Sequence, residues 1–151
     1  MLFHEVIRAT IVPMQERLQE GLDLAQDEPR AALRATCRSL ATIIVTPRIA
    51  ELRRLISSEA GRFPDLAAEW YALGPGQTVD RLAAWLPSLR PHLSLPDPQV
   101  AAEQLLWLVV AAPLNSLLFL PPGTAVDQTE LRQRADVAAE MFWRAHASTE
   151  E

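Results

Sequence analysis

Residues 59–76 read EAGRFPDLAAEWYALGPG, and this stretch carries the most specific information on the fold. Gly61 and Pro64 predict a turn into a short helix, because glycine adopts turn conformations readily and proline suits a first helical turn. Gly74-Pro75-Gly76 then predicts the end of that helix. We therefore expect a short helix between two turns.

Apolar residues recur at helical spacing on both sides of this stretch, and the period-2 alternation of strands is absent. The pattern predicts an all-α bundle of about six to seven helices. The first helix is predicted at about 2–24, and the second and third begin at Pro29 and Pro47. The fourth lies in the quoted stretch, the fifth covers about 79–89, the sixth begins at Asp97-Pro98, and the last covers about 127–146. Pro13 is expected to kink the first helix, because proline removes a backbone donor.

The last predicted helix separates apolar from charged side chains. Its apolar face carries Leu131, Ala135, Ala138, Phe142 and Ala145, widened by Val137 and Met141. The opposite face carries Arg132, Asp136, Glu140 and Arg144 at four-residue spacing. A row of charged side chains at this spacing usually marks a solvated face, and Trp143 lies on the same side of the helix. We expect Trp143 to be exposed in a monomer.

The bulk composition indicates a globular protein without an obvious attraction to nucleic acid. The 151 residues are 49% hydrophobic and 22% charged, which fits a single domain over residues 1–151. The formal net charge of −5 argues against long-range attraction to a polyphosphate backbone. A single cysteine, Cys37, and an N-terminus without signal-peptide regions suit the cytoplasm.

Residues 104–126 contain no charged side chain, so the membrane has to be considered. Pro113, Asn115 and Ser116 interrupt the apolar run, and acidic residues rather than cations flank it. A helix buried inside a bundle or an oligomer fits this pattern better than a membrane span. We therefore predict no membrane association.

Three segments resemble the regulatory domain of TetR-family transcriptional regulators. LFHEVI at residues 2–7 resembles the start of the family's long fourth helix, and DPQVAAEQL at 97–105 resembles the start of a dimerisation helix. The stretch from Glu59 to Pro75 is the most specific match, with an acid, Arg-Phe-Pro, an aromatic pair and Gly-Pro. The resemblance covers the whole chain.

The resemblance implies an apolar effector pocket enclosed by the first five helices. Aromatic and apolar side chains in those helices and the sixth are the expected lining. The predicted ligand-binding residues are Met14, Cys37, Ile44, Phe63, Trp70, Trp85, Trp107 and Asn115. Two alternatives stay open: the aromatic residues fill the core, and Asn115 satisfies backbone groups freed by Pro113.

The resemblance also implies that the last two helices pair with their copies in a homodimeric four-helix bundle. These two helices carry more apolar surface than one small bundle needs, which favours a two-fold interface. The predicted interface residues are Leu114, Leu118, Val137, Met141 and Phe142.

A complete family member has an N-terminal helix-turn-helix head, and this sequence begins where that head should end. Operator DNA is therefore an expected partner only through that missing head. A trimmed chain, a misplaced start codon and a regulator that has lost its head all fit the sequence.

The leading interpretation is an effector-sensing and dimerisation domain of a repressor. The alternative is a headless dimerisation module that sequesters regulators or binds a partner without ligand. We expect no enzyme activity and no cofactor, because no catalytic or phosphate-binding motif occurs. The three histidines lie far apart, so we expect no metal site.

Overall fold

The computed structural model of the protein describes residues 2–24 and 27–149. These residues form α-helices joined by short turns, which confirms the predicted all-α class. The helices are α1 (Leu2–Asp23), α2 (Pro29–Ile44), α3 (Pro47–Glu59), α4 (Pro64–Tyr71), α5 (Gln77–Trp85), α6 (Pro98–Phe119) and α7 (Gln128–His146). A π-helical turn (Ala72–Gly76) joins α4 to α5, and a 3₁₀ turn (Leu86–Leu89) follows α5.

Most helices begin where a polar side chain can cap the free backbone amides. Thr46 accepts from the amide of Ile49 at the start of α3, and the carboxylates of Glu28, Asp97 and Asp127 do the same for α2, α6 and α7. The predicted cap at Asp97 is confirmed. A proline follows each of the caps of α2, α3 and α6, where its fixed φ suits the first turn.

α6 is the central helix of the bundle. It packs against α2, α3, α5 and α7, while α2 lies along α7 and α1 crosses α2, α4 and α5. The buried face of α6 carries Ala101, Ala102, Leu105, Leu106, Val109, Val110 and Leu114. These side chains join the core residues of the other helices in a continuous hydrophobic cluster.

The predicted helix end at Gly74-Pro75-Gly76 is wrong. The chain continues in a helical conformation from α4 through the π-helical turn into α5, with Gly76 at φ −59° and ψ −51°. The wider turn accommodates Pro75, which has no amide hydrogen to donate. The glycines therefore permit a π bulge rather than a stop, and a helical path connects Pro64 to Trp85.

The end of α7 is tied back to the segment after the 3₁₀ turn. The amide of Ser94 donates to His146 O at 2.8 Å, and the amide of Ser148 donates to His92 O at 2.9 Å. Trp143 is half-buried against this segment, with His92 at a ring-centroid distance of 6.5 Å. The prediction of an exposed Trp143 is wrong, because the returning chain covers its ring.

α6 is long and apolar enough to cross a membrane by length and composition alone. Its most apolar 18-residue window has a mean hydropathy of 1.4, and 39% of that window is buried in the bundle. A core helix of a globular bundle also meets these two criteria. Other apolar side chains of α6 are exposed, Leu108 and Phe119 among them.

Candidate functional site

A small, mostly apolar cavity of about 50 Å³ is lined by residues of α1 to α6 and of the π-helical turn. Trp70 of α4 and Trp107 of α6 contribute aromatic side chains to its lining. The other lining residues are Ile11, Met14, Ile44, Ile49, Arg53, Gly74, Pro75, Thr78, Leu106, Val110 and Leu114. An apolar cavity with a few polar groups is the usual form of a small-molecule site.

The polar edge of the cavity is organised by Gln15, which is 2% exposed. Its Nε2 lies 3.0 Å from the carbonyl oxygens of both Leu73 and Gly74, and it also donates to Thr78 Oγ1 at 2.9 Å. Thr78 Oγ1 in turn donates to Gly74 O at 3.1 Å. The π-helical turn leaves carbonyl groups without ordinary helical partners, and Gln15 supplies donors from α1.

Arg53 contributes the charged group of the cavity lining. Its Nη1 atom is buried and has no hydrogen-bond partner among the described residues. The Oε1 atom of Gln15 is also buried without a partner. Sequence analysis missed both residues, although each carried a signal: Arg53 follows Ile49 and Gln15 follows Ile11 by four residues, so each continues an apolar helix face.

The structure brings together part of the predicted ligand-binding set. Met14, Ile44, Trp70 and Trp107 line the cavity. The other four predicted residues lie elsewhere: Cys37 is fully buried in the core, Trp85 is half-buried against it, Phe63 is on the surface and Asn115 is exposed.

The displaced residues have clear physical reasons for their positions. Asn115 follows buried Leu114 and therefore points away from the bundle, so Arg53 rather than Asn115 brings a polar group into the cavity. Phe63 lies in a separate surface groove of about 290 Å³ with Phe3 and His4.

Cys37 has no access to the cavity or to solvent. Burial, as the main cause, raises the pKa of its thiol to about 12, and the nearby carboxylate of Asp136 adds to the shift. A thiol of this kind is mostly protonated at neutral pH and is a poor nucleophile. Its place among Leu33, Leu40 and Ala41 is that of a small core residue.

The predicted interface residues divide into exposed and buried groups. Val137 and Met141 are 60% and 55% exposed, and with Leu108 they line an open groove of about 300 Å³ between α6 and α7. Phe142 is 2% exposed, and its ring stacks on His146 inside the protein. Leu114 is buried and faces the cavity, while Leu118 is half-buried.

The predicted row of charged side chains on α7 faces α2 rather than solvent alone. Arg38 of α2 donates from Nε and Nη2 to the two carboxylate oxygens of Asp136, each at 2.6 Å. Arg30 forms a second ion pair with Glu140. The hydrogen bond from Arg38 holds the pKa of the Asp136 carboxyl below its usual range, and the bond from Arg30 does the same for Glu140.

Glu69 of α4 holds the N-terminal turns of α1. Its carboxylate contacts His4 Nδ1 and lies 2.9 Å from Arg8 Nε. The contact with His4 is the main cause that lowers the pKa of Glu69. Among the described residues, no cluster of three potential metal-binding side chains occurs.

Comparison with known families identifies this architecture. Residues 31–148 match the family model described as the AefR-like transcriptional repressor, C-terminal domain. The chain belongs to the TetR family. The helices of the described residues correspond to its C-terminal regulatory domain, and the family's N-terminal helix-turn-helix is not among them.

Two solved structures share the fold. The first is a TetR-family transcriptional regulator from Mesorhizobium loti, which aligns with a TM-score of 0.87 at 24% identity. The second is the flavonoid-responsive regulator FrrA, with a TM-score of 0.69 at 31% identity. The alignments cover 97% and 94% of this chain, and 74% of each neighbour. No curated protein matches the sequence.

These findings confirm the resemblance drawn from residues 2–7, 59–75 and 97–105, and they confirm the TetR-type fold. The protein is related to transcriptional regulators.

Proposed function

We propose that this TetR-family domain senses a small, largely apolar effector and dimerises, and that the whole chain acts as one regulatory unit in the cytoplasm. The observation that carries the proposal is the cavity, because α1 forms one of its walls through Ile11 and Met14. In a full-length repressor, α1 leads to the DNA-binding head. A ligand that moves α1 would change the spacing of two heads and oppose operator binding through a coupling free energy.

Gln15 supports this coupling. It follows Met14 in the chain and bonds to the carbonyl groups of the π-helical turn, whose Gly74 and Pro75 line the same cavity. Any ligand that widens the cavity therefore acts on α1 and on the turn together. The ion pairs of Glu69 with α1 extend this connection toward the N-terminus.

The size of the cavity means that binding requires a conformational change. Its volume of about 50 Å³ is well below the ~300–1,000 Å³ of typical ligand sites. The unbranched side chain of Met14 adapts easily, and Trp70 and Trp107 are only partly buried. A ligand would bind the more open arrangement and shift the population toward it, as an effector must.

Two observations suggest the chemical class of the ligand. The cavity has aromatic lining residues, and the related regulator FrrA responds to flavonoids. Planar aromatic rings stack favourably against tryptophan. We therefore propose an effector that contains aromatic rings, with flavonoids as the first class to test.

Calorimetry with naringenin and with naphthalene tests this proposal. We expect at least one of them to bind the wild-type protein with a defined stoichiometry. Val110→Phe, which fills the cavity from α6, should abolish binding, whereas the same substitution at the exposed Val100 of α6 (Val100→Phe) should not. Equal binding to both variants would contradict the assignment of the site.

We also propose that α6 and α7 form a homodimeric four-helix bundle. The exposed apolar side chains of Leu108, Val137 and Met141 support it, since adjacent large apolar groups on two long helices favour an interface. Sedimentation equilibrium should show a dimer, and the double variant Val137→Asp, Met141→Asp should be monomeric. Tyr71→Asp, at a similarly exposed site away from this face, is the control.

The small cavity volume favours one alternative, a dimerisation module that works without ligand. A stable dimer that binds neither naringenin nor naphthalene would support this alternative over the effector-sensing function.

A further inference from the structure

We propose that Arg53 recognises an acidic oxygen of the effector, so that the ligand is an apolar, ring-containing molecule with one carboxylate or phenolate group. This inference rests on the proposed effector site, because it assigns the ligand chemistry of the same cavity.

The position of Arg53 is the first argument. Ile49 and Arg53 lie one turn apart on α3, and both line the cavity. Trp70 and Trp107 line the same space, so a planar ring held by the two tryptophans would lie next to the guanidinium group. A ligand with an apolar ring system and one polar group at its end would match this lining.

The unused donor capacity of Arg53 is the second argument. Its Nη1 is buried without a hydrogen bond, and no carboxylate of the described residues lies within 4.0 Å of its guanidinium nitrogens. By contrast, the neighbouring Arg54 donates to the carbonyl oxygens of Leu117 and Leu118 at the end of α6. Arg38 likewise donates hydrogen bonds to both carboxylate oxygens of Asp136.

A buried donor without a partner is unfavourable, and the penalty is larger for a charged group. A ligand oxygen would remove that penalty only when the ligand is bound, which favours the bound state. The guanidinium group has donors and no acceptor, so an anionic oxygen is its best partner.

The other polar groups at the cavity explain why the anion is assigned to Arg53. Thr78 Oγ1 already donates to Gly74 O and accepts from Gln15 Nε2. The unpartnered Gln15 Oε1 is an acceptor and would repel an anionic oxygen. An acidic group therefore has one favourable position in the cavity, beside Arg53.

A matched pair of probes tests the inference by calorimetry. Biphenyl-4-carboxylate and the neutral biphenyl-4-carboxamide have nearly the same shape and differ in charge. Each is titrated into the wild-type protein, Arg53→Gln, and Arg17→Gln, which removes a cation from the exposed side of α1. Circular dichroism confirms that both variants are folded.

We expect the wild-type protein and Arg17→Gln to bind the carboxylate at least about tenfold more tightly than the carboxamide, equivalent to about 1.4 kcal/mol. Arg53→Gln should lose this preference and keep its affinity for the carboxamide. If the wild-type protein does not discriminate, or Arg53→Gln still does, the role of Arg53 is overturned while the effector site stands. If neither probe binds the wild-type protein, the role of Arg53 is also overturned, whereas the effector site itself fails only if naringenin and naphthalene do not bind either.

Discussion

The cavity differs from the α2–α7 seam, by which we mean the facing sides of those two helices. Charged side chains at the seam are paired, whereas polar atoms at the cavity lack partners. In the seam, Arg38 pairs with Asp136 and Arg30 pairs with Glu140, so the charged groups that border its apolar core have partners. At the cavity, Arg53 Nη1 and Gln15 Oε1 are buried without partners.

This difference separates stability from function within one small bundle. Paired groups over a close-packed core hold a single arrangement, because any movement would break their contacts. Arg53 belongs to the cavity lining, and its unpaired Nη1 loses no hydrogen bond when the surrounding helices move. A ligand oxygen would give it a partner. We therefore interpret the seam as the rigid part of the domain and the cavity side as its responsive part.

The largest effect is expected from a deletion in the packed region. Phe142→Ala removes a side chain that is 2% exposed and stacks on His146, so it should lower the free energy of unfolding by about 3–5 kcal/mol. Urea unfolding measures the change. Arg132→Ala, at an exposed position of the same helix, is the control and should change the free energy of unfolding by less than about 0.5 kcal/mol. Similar losses for both variants would mean that α7 is packed differently.

A matched pair of enlargements compares the two regions directly. Ala135→Val adds bulk where the seam is closely packed and should cost about 1–3 kcal/mol. Val110→Ile adds a methyl group toward the cavity and should be neutral or stabilise the protein by up to about 1 kcal/mol. Thermal unfolding of both variants provides the measurement. Equal destabilisation would show that the cavity has no room to spare.

The smallest effect concerns the ion pair of the seam. Arg38 lowers the pKa of Asp136 from its usual 3.8, so the pair stabilises the fold above that pH and is lost as pH falls through the lowered value. Arg38→Gln should destabilise the fold slightly at neutral pH, because an exposed ion pair is screened by solvent, and should have no effect once Asp136 is protonated. Urea unfolding across this pH range measures the difference, with the exposed Arg132→Gln as control. A cost that persists at acid pH would indicate lost packing rather than a lost ion pair.

Much of the fold could be predicted from the sequence, because it depends on local signals. Apolar spacing and capping residues such as Asp97 located the helices, and the Arg-Phe-Pro stretch pointed to the family. The failure at Pro75 is also instructive. A proline between two glycines normally ends a helix, but Gln15 lies 58 residues from Leu73 in the chain and stabilises the π-helical turn that continues it. Local sequence does not contain that contact.

The candidate site was less predictable for a related reason. Aromatic side chains favour apolar pockets, and the predicted residues Trp70 and Trp107 both line the cavity. Trp85 and Cys37 are predicted to line it too, yet they pack into the core. Residue type alone does not distinguish a side chain beside a cavity from one in a filled core. Arg53 was overlooked because charged residues on a helix are usually solvated.

Methyl NMR during a titration with naringenin and with biphenyl-4-carboxylate tests the central claim most directly. The cavity residues Ile11, Met14 and Ile49 report on one region, and Ala135 and Ala139 report on the α2–α7 seam. We predict saturable shifts of the cavity methyl groups with at least one probe, while the seam signals stay nearly unchanged. Absence of cavity shifts at saturating concentrations of both probes would contradict the account.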